Sequence, residues 1–98
     1  MKQMDVPVDI KVEIDYADKN VSQAVRTLRP TLFTEGDSFY CLWGPDRQEG
    51  VYGCGATREE ALTEWEANMR KRIIYHKPGD DVAQFIVDSL NASAKDIA

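Results

Sequence analysis

Apolar and polar residues alternate one for one from Val8 to Tyr16. Val8, Ile10, Val12, Ile14 and Tyr16 are separated by Asp9, Lys11, Glu13 and Asp15. A period of two predicts a strand with one buried face. The polar run Ala17-Asp18-Lys19-Asn20 ends it. Val21, Val25 and Leu28 then recur at i, i+4 and i+7, which predicts a short helix closed before Arg29-Pro30. Three apolar runs follow as further strands: Leu32-Phe33-Thr34, Phe39-Tyr40-Cys41-Leu42-Trp43 and Val51-Tyr52-Gly53-Cys54-Gly55. Glu35-Gly36-Asp37-Ser38 predicts a hairpin turn in which glycine supplies positive φ. The longer connection, residues 44–50, has Pro45-Asp46 as its natural bend.

A loop symmetric about Arg47 and Gln48 would set Trp43 opposite Tyr52 and Cys41 opposite Cys54. It would also set Leu42 opposite Gly53 and Tyr40 opposite Gly55. Bulky side chains would then lie over glycines, with a helix or another layer closing on that face. Thr57-Arg58-Glu59-Glu60 is a capping box that starts a helix. Leu62, Trp65, Met69 and Ile73, with Ala61 beside them, form its buried stripe. Glu66 and Arg70 make a favourable i, i+4 pair on another face. His76-Lys77-Pro78-Gly79 stops that helix, and Asp80-Asp81 opens a second one. Val82, Phe85, Ile86 and Leu90 give the second helix an apolar face that Ala94 and Ile97 extend. The expected fold is α+β, a single domain over residues 1–98: an antiparallel sheet of three or four strands, one main helix packed on one face, and a C-terminal helix.

A chain of 98 residues buries a modest core without staples. Its net charge of −5 argues against an electrostatic grip on nucleic acid, which needs clustered Lys and Arg, and is compatible with a basic protein partner. The sequence has no run of about 20 apolar residues that would span a membrane, and Met1-Lys2-Gln3-Met4-Asp5 lacks the apolar segment of a secretory signal. Two cysteines without metal-ligand spacing suit a reducing cytosol, so a cytoplasmic protein is expected.

Candidate chemistry is sparse. Gly53-Cys54-Gly55 before a helix suggests an anion-binding turn, but Glu59 and Glu60 would repel a phosphate, and tight sheet–helix packing accounts for the glycines better. Cys41 and Cys54 lie in apolar strands with no histidine near them in sequence, which favours buried free thiols over a disulfide or a nucleophile. His76 has no partners placed for a metal or a catalytic set and is expected to cap the end of its helix. Asp9, Glu13 and Asp15 share one face of the first predicted strand. Paired carboxylates can bind Mg²⁺ or do acid–base work, but alternation with Lys11 among them makes this a solvated face, an acidic stripe for a basic partner. Phe39, Tyr40, Trp43, Tyr52 and Tyr16 are expected mainly to fill core, with Trp43 or Tyr52 near residues 44–50 as candidate interface anchors. No catalytic, metal or cofactor residues are assigned, and no cofactor is expected.

From about Pro30 to Ile73 the chain resembles the HicB-like antitoxin domain. The resemblance rests on Gly53, Gly55, Thr57, Glu60, Ala61 and Leu62, with Asp37-Ser38-Phe39-Tyr40 opening the second hairpin strand, and covers less than half the chain. It is nearest to small stand-alone relatives found in bacterial and prophage genomes. The resemblance implies a protein that blocks a ribonuclease toxin with a double-stranded-RNA-binding-like fold by docking on it. Many members also carry a C-terminal DNA-binding module; the roughly twenty residues after Pro78 are too few for a helix-turn-helix, so operator binding is not expected. The strand and helix predicted before Pro30 are an addition to the minimal domain.

The expected function is therefore non-catalytic: an inhibitor or antitoxin that occludes a basic, nucleic-acid-handling protein. A phage-encoded inhibitor of a host defence complex of the CRISPR type is the close alternative. A small-ligand binder or enzyme using residues 44–50 is the rival from another class, and a structural subunit that only oligomerises is a third. Strands apolar on both faces, with one helix to cover one of them, lead to an expected homodimer near Trp43, Tyr52 and the C-terminal helix. Otherwise the C-terminal helix itself covers the second face.

Overall fold

The computed structural model describes residues 6–18 and 21–97, with side chains described as far as residue 92. A two-residue strand β1 (Lys11–Val12) and three longer ones, β2 (Thr31–Glu35), β3 (Ser38–Trp43) and β4 (Val51–Gly55), make one antiparallel sheet in the order β1-β2-β3-β4. The helices are α1 (Gln23–Leu28), α2 (Arg58–Tyr75) and α3 (Asp81–Ile97). The α+β architecture read from the sequence is the one observed.

The first predicted strand is corrected. Val8–Ile10 forms a 3-10 turn in which the Ile10 N–H donates to the Pro7 carbonyl at 3.2 Å, and only Lys11–Val12 pairs with β2. The ladder has little room to continue: one step on, Glu13 would face Thr31, where β2 begins, and the steps after that would meet Pro30, which has no N–H, and Arg29, whose φ of 53° is left-handed. The period of two survives as exposure instead: Ile10, Val12, Ile14 and Tyr16 are partly buried while Asp9, Lys11, Glu13 and Asp15 are exposed. Val8, expected on the buried side, is 83% exposed.

The short helix is where the valine spacing places it. Ser22 Oγ accepts from the Val25 N–H at 3.2 Å, and Arg29 closes the helix. The β2–β3 hairpin turns at Gly36-Asp37, with positive φ at Gly36 alone, the form that favours glycine at the first turn position.

The β3–β4 register differs from the expected one by a single residue. Trp43 pairs with Val51, Leu42 with Tyr52, Cys41 with Gly53, Tyr40 with Cys54 and Phe39 with Gly55. A one-residue slip exchanges the faces of a whole strand, and α2 decides which alternative wins. A Cβ at Gly53 would lie 2.7 Å from Trp65 Cα and 2.9 Å from the Ala61 carbonyl oxygen, so only glycine fits under the helix there. The helix-covered face thus carries Phe39, Cys41, Trp43, Val51 and the glycines. Tyr40, Leu42, Tyr52 and Cys54 turn to the outer face.

Thr57 Oγ1 accepts from the Glu60 N–H at 3.1 Å, and Glu60 reaches back to the Ala56 N–H at 2.9 Å, one residue before the cap. Ala61, Trp65 and Met69 are buried and Leu62 and Ile73 partly so, which is the predicted stripe. His76 caps the helix end as expected, donating through Nδ1 to the Ile73 carbonyl at 2.7 Å.

The C-terminal helix does not cover the second face. α3 lies on the same side of the sheet as α2, with Val82 and Ile86 in one core with Trp43, Val51, Trp65 and Met69. The Phe85 and Trp43 rings stand 5.4 Å apart. Ala94 and Ile97, expected to extend the apolar face, lie outside the described side chains. A single guanidinium ties this arrangement together. Arg72 pairs with both Asp80 carboxylate oxygens, at 2.5 and 3.0 Å, and donates to the Glu49 and Gly50 carbonyls of the β3–β4 loop. Asp80 in turn accepts from the Ala83 N–H at 3.1 Å, capping α3.

Candidate interaction surfaces

On the outer face of the sheet a small second core forms where Phe33 and Leu42 meet Val6 and Ile10. The sheet pattern extends it into an aromatic row across three strands. Phe33 and Tyr40 lie opposite one another with ring centroids 5.6 Å apart, and Tyr52, on the diagonal, is 5.7 Å from Tyr40. Arg47, from the β3–β4 loop, lies over this row at 5.5 Å from Phe33 and Tyr40 and 5.6 Å from Tyr52. A guanidinium over aromatic faces is held by the ring quadrupoles. Its position is fixed by a 2.9 Å ion pair with Glu35, both side chains being about half exposed. Burial raises the Tyr52 hydroxyl pKa above its ordinary value, with Arg47 opposing the shift, so Tyr52 meets the cation as a neutral phenol.

Tyr52 is thus half-buried at this surface. Trp43 is not. It is 5% exposed, under α3 on the opposite face. Its placement beside Tyr52 followed from the expected register, and the one-residue shift separates the two.

The acidic residues of the N-terminal segment are divided as well. Asp9 sits in the 3-10 turn, exposed. Glu13 and Asp15 line a cavity of about 230 Å³ between residues 13–18, residues 21–25 and the first half of α2. Ile14, Val21, Val25, Leu32 and Leu62 supply its apolar lining. Asp18 joins Glu13 and Asp15 from the N-terminal side, while α2 contributes Glu59, Glu66 and a cation, Arg58, the one among the described lining residues. Some of these groups have local duties: Asp15 accepts from the Ala17 N–H at 3.0 Å, and Glu66 pairs with Arg70 at 3.4 Å. Glu59 and Glu66 stand seven residues apart in sequence, which is two helical turns and therefore one face. That spacing was legible. Its convergence with residues 13–18 was not, because it depends on how the segment before α1 crosses the helix.

The other candidates take ordinary places. Cys41 and Cys54 are free and on opposite faces of the sheet, so they cannot be joined within one chain. Burial pushes the Cys41 thiol far above its ordinary pKa, which keeps it protonated. Among the described residues, no group of three or more His, Cys, Asp or Glu side chains is placed to hold a metal ion. The loop 44–50 is tied down by Asp46, which accepts from the Gln48 and Glu49 N–H groups, and by Arg72. Gln48 alone of this loop borders an open depression with Tyr75, His76 and Lys77. Ile74 and Tyr75, 68% and 80% exposed, form an apolar end to α2 that the helical stripe did not single out. No helix among the described residues is long and apolar enough to cross a membrane.

Compared with family models, curated proteins and solved structures, the chain matches none of them.

Proposed function

We propose that this chain is a non-catalytic binding protein that inhibits a basic, nucleic-acid-handling partner by docking on it in the cytoplasm. The observation that supports this reading most is the gathering of Glu13, Asp15, Asp18, Glu59 and Glu66 around one opening, with Arg58 the one cation among its described lining residues. A concentrated acidic surface steers a basic protein into register and repels nucleic acid from the same place. The HicB-like antitoxin resemblance supplies one setting for this activity, with a ribonuclease toxin as partner. Inhibition of a host defence complex by a phage protein is the other, and it needs the same surface chemistry.

The outer face suits a different contact. Among the described residues Lys11, Glu35 and Arg47 give it little net charge, and Tyr40 and Tyr52 are half-buried there. Two chains of net charge −5 repel least through such a face, so we assign the proposed homodimer to it.

The test is capture of partners on tagged full-length protein in its native host, followed by assay of the captured protein's nucleic-acid cleavage or binding with added inhibitor. Stoichiometric loss of that activity, weakened by neutralising Glu59 and Glu66, is expected. A captured partner that is acidic, or whose activity is unchanged at saturation, would overturn the reading.

A further inference from the structure

We infer that the cavity lined by Glu13, Ile14, Asp15 and the facing side of α2 receives one arginine side chain of the partner protein. The inference rests on the proposed function and names the group by which the partner is held. The cavity has two chemistries in one place: an apolar lining that includes Ile14, Val25 and Leu62, and acidic groups that include Glu13, Asp15 and Glu59. A metal ion would use only the second. The carboxylates do not converge as a metal site would, since no such cluster of three or more occurs among the described residues. A long basic side chain uses both, laying its methylene stem on apolar surface and its charge among acceptors. Arginine fits better than lysine because its guanidinium is less strongly hydrated and its fork of donors spans several carboxylate oxygens. Size points the same way. About 230 Å³ is below the ~300–1,000 Å³ typical of small-molecule pockets and is ample for one side chain.

The experiment titrates the full chain with N-acetyl-arginine methylamide and with its neutral isostere, N-acetyl-citrulline methylamide. The readout is the methyl NMR shifts of Ile14, Val21, Val25 and Leu62. Saturable shifts with the arginine probe are expected, with the citrulline probe weaker by about tenfold or more, as loss of a partly enclosed charge interaction implies. Glu13→Gln with Asp15→Asn should weaken the arginine probe by about tenfold; Asn retains an acceptor for the Ala17 N–H. Asp9→Asn with Asp37→Asn removes the same charge from exposed positions that do not line the cavity and should leave affinity within about twofold. Absence of saturable shifts, equal binding of citrulline, or equal loss in the two double variants overturns the inference. The two proposals fail separately. A captured basic partner whose affinity ignores Glu13→Gln/Asp15→Asn removes the cavity's role alone, and arginine-probe binding without a basic partner removes the proposed function alone.

Discussion

Gly53→Ala tests the sheet register and the seating of α2 in one substitution. Glycine inside a strand normally costs about 0.5–1 kcal/mol relative to alanine, so the generic expectation is stabilisation. Here the sign reverses. The added methyl would lie 2.7 Å from Trp65 Cα and 2.9 Å from the Ala61 carbonyl oxygen, and these are helix backbone atoms that no rotamer change moves aside. Overpacking of this kind costs roughly 1–3 kcal/mol, and the backbone character of the contact places Gly53 toward the upper end. With the intrinsic alanine advantage subtracted, the net loss is about 2 kcal/mol. For a domain of this size that lowers the melting temperature by roughly 8–16 °C. Far-UV circular dichroism through thermal and urea unfolding measures it. Gly36→Ala separates clash from backbone strain, because Gly36 has open space but a φ of +61°. It should cost about 1–2 kcal/mol without displacing α2. A Gly53→Ala protein as stable as the parent would refute the register, since Gly53 would then lie on the uncovered face.

Trp65→Ala should cost about 3–5 kcal/mol in the same assay, because Trp65 is fully buried against the sheet, whereas exposed Glu59→Ala should change stability by less than about 0.5 kcal/mol. Arg72 holds the Asp80 carboxyl below the ordinary carboxylate range; its contribution to stability is therefore complete above the unfolded value of about 4 and fades as pH falls through the lower folded value. Asp80→Asn should remove that part of the acid dependence while retaining the α3 cap, and Asp80→Ala should lose about a further 1 kcal/mol, both seen in melting temperatures from pH 7 to 2. Melting should be identical with reductant and with oxidant, since Cys41 and Cys54 lie on opposite faces; a midpoint that falls on reduction would refute that placement. Light scattering should give a dimer for the parent and a monomer for Tyr52→Glu, which puts a charge among the stacked rings; a monomeric parent removes the dimer.

The elements were legible in the sequence wherever a local signal fixed them. Thr57 and Glu60 announce the start of α2, the spacing of Val21, Val25 and Leu28 before Arg29-Pro30 marks α1, and Gly36 marks the hairpin turn. What failed was long-range. The alternation from Val8 to Tyr16 reports which side chains turn inward, and an extended segment can meet that demand with only two residues in a ladder. Whether it pairs further depends on its neighbour, and β2 begins at Thr31 behind a proline. The β3–β4 register was misread because a loop over residues 44–50 can be centred on one residue or between two, and the flanking strands are apolar on both faces. The decisive constraint, the α2 backbone pressed against Gly53, acts between elements and leaves in the sequence only the glycine itself. Trp43 and Tyr52 changed roles for that reason alone.

The register also arranges charge. With Tyr52 outward, the β3–β4 loop returns Arg47 over the aromatic row, where Glu35 meets it, and Lys11 on β1 points to the same side. Among the described residues, Lys11, Arg47 and Glu35 therefore share the outer face. On the helical side the described residues of the cavity lining include five carboxylates and one guanidinium. The net charge of −5 is thus not spread evenly over the molecule. A slip to the alternative register would turn Tyr52 and Cys54 under α2, strip the aromatic platform from beneath Arg47 and push the helix off the sheet. Because Leu62 and Glu59 belong to that same helix, the cavity would lose its wall at the same time. The seat of α2 on Gly53 therefore governs both surfaces. Through it, a single backbone contact in the core links the neutral face proposed for a second copy to the acidic opening proposed for a partner's arginine.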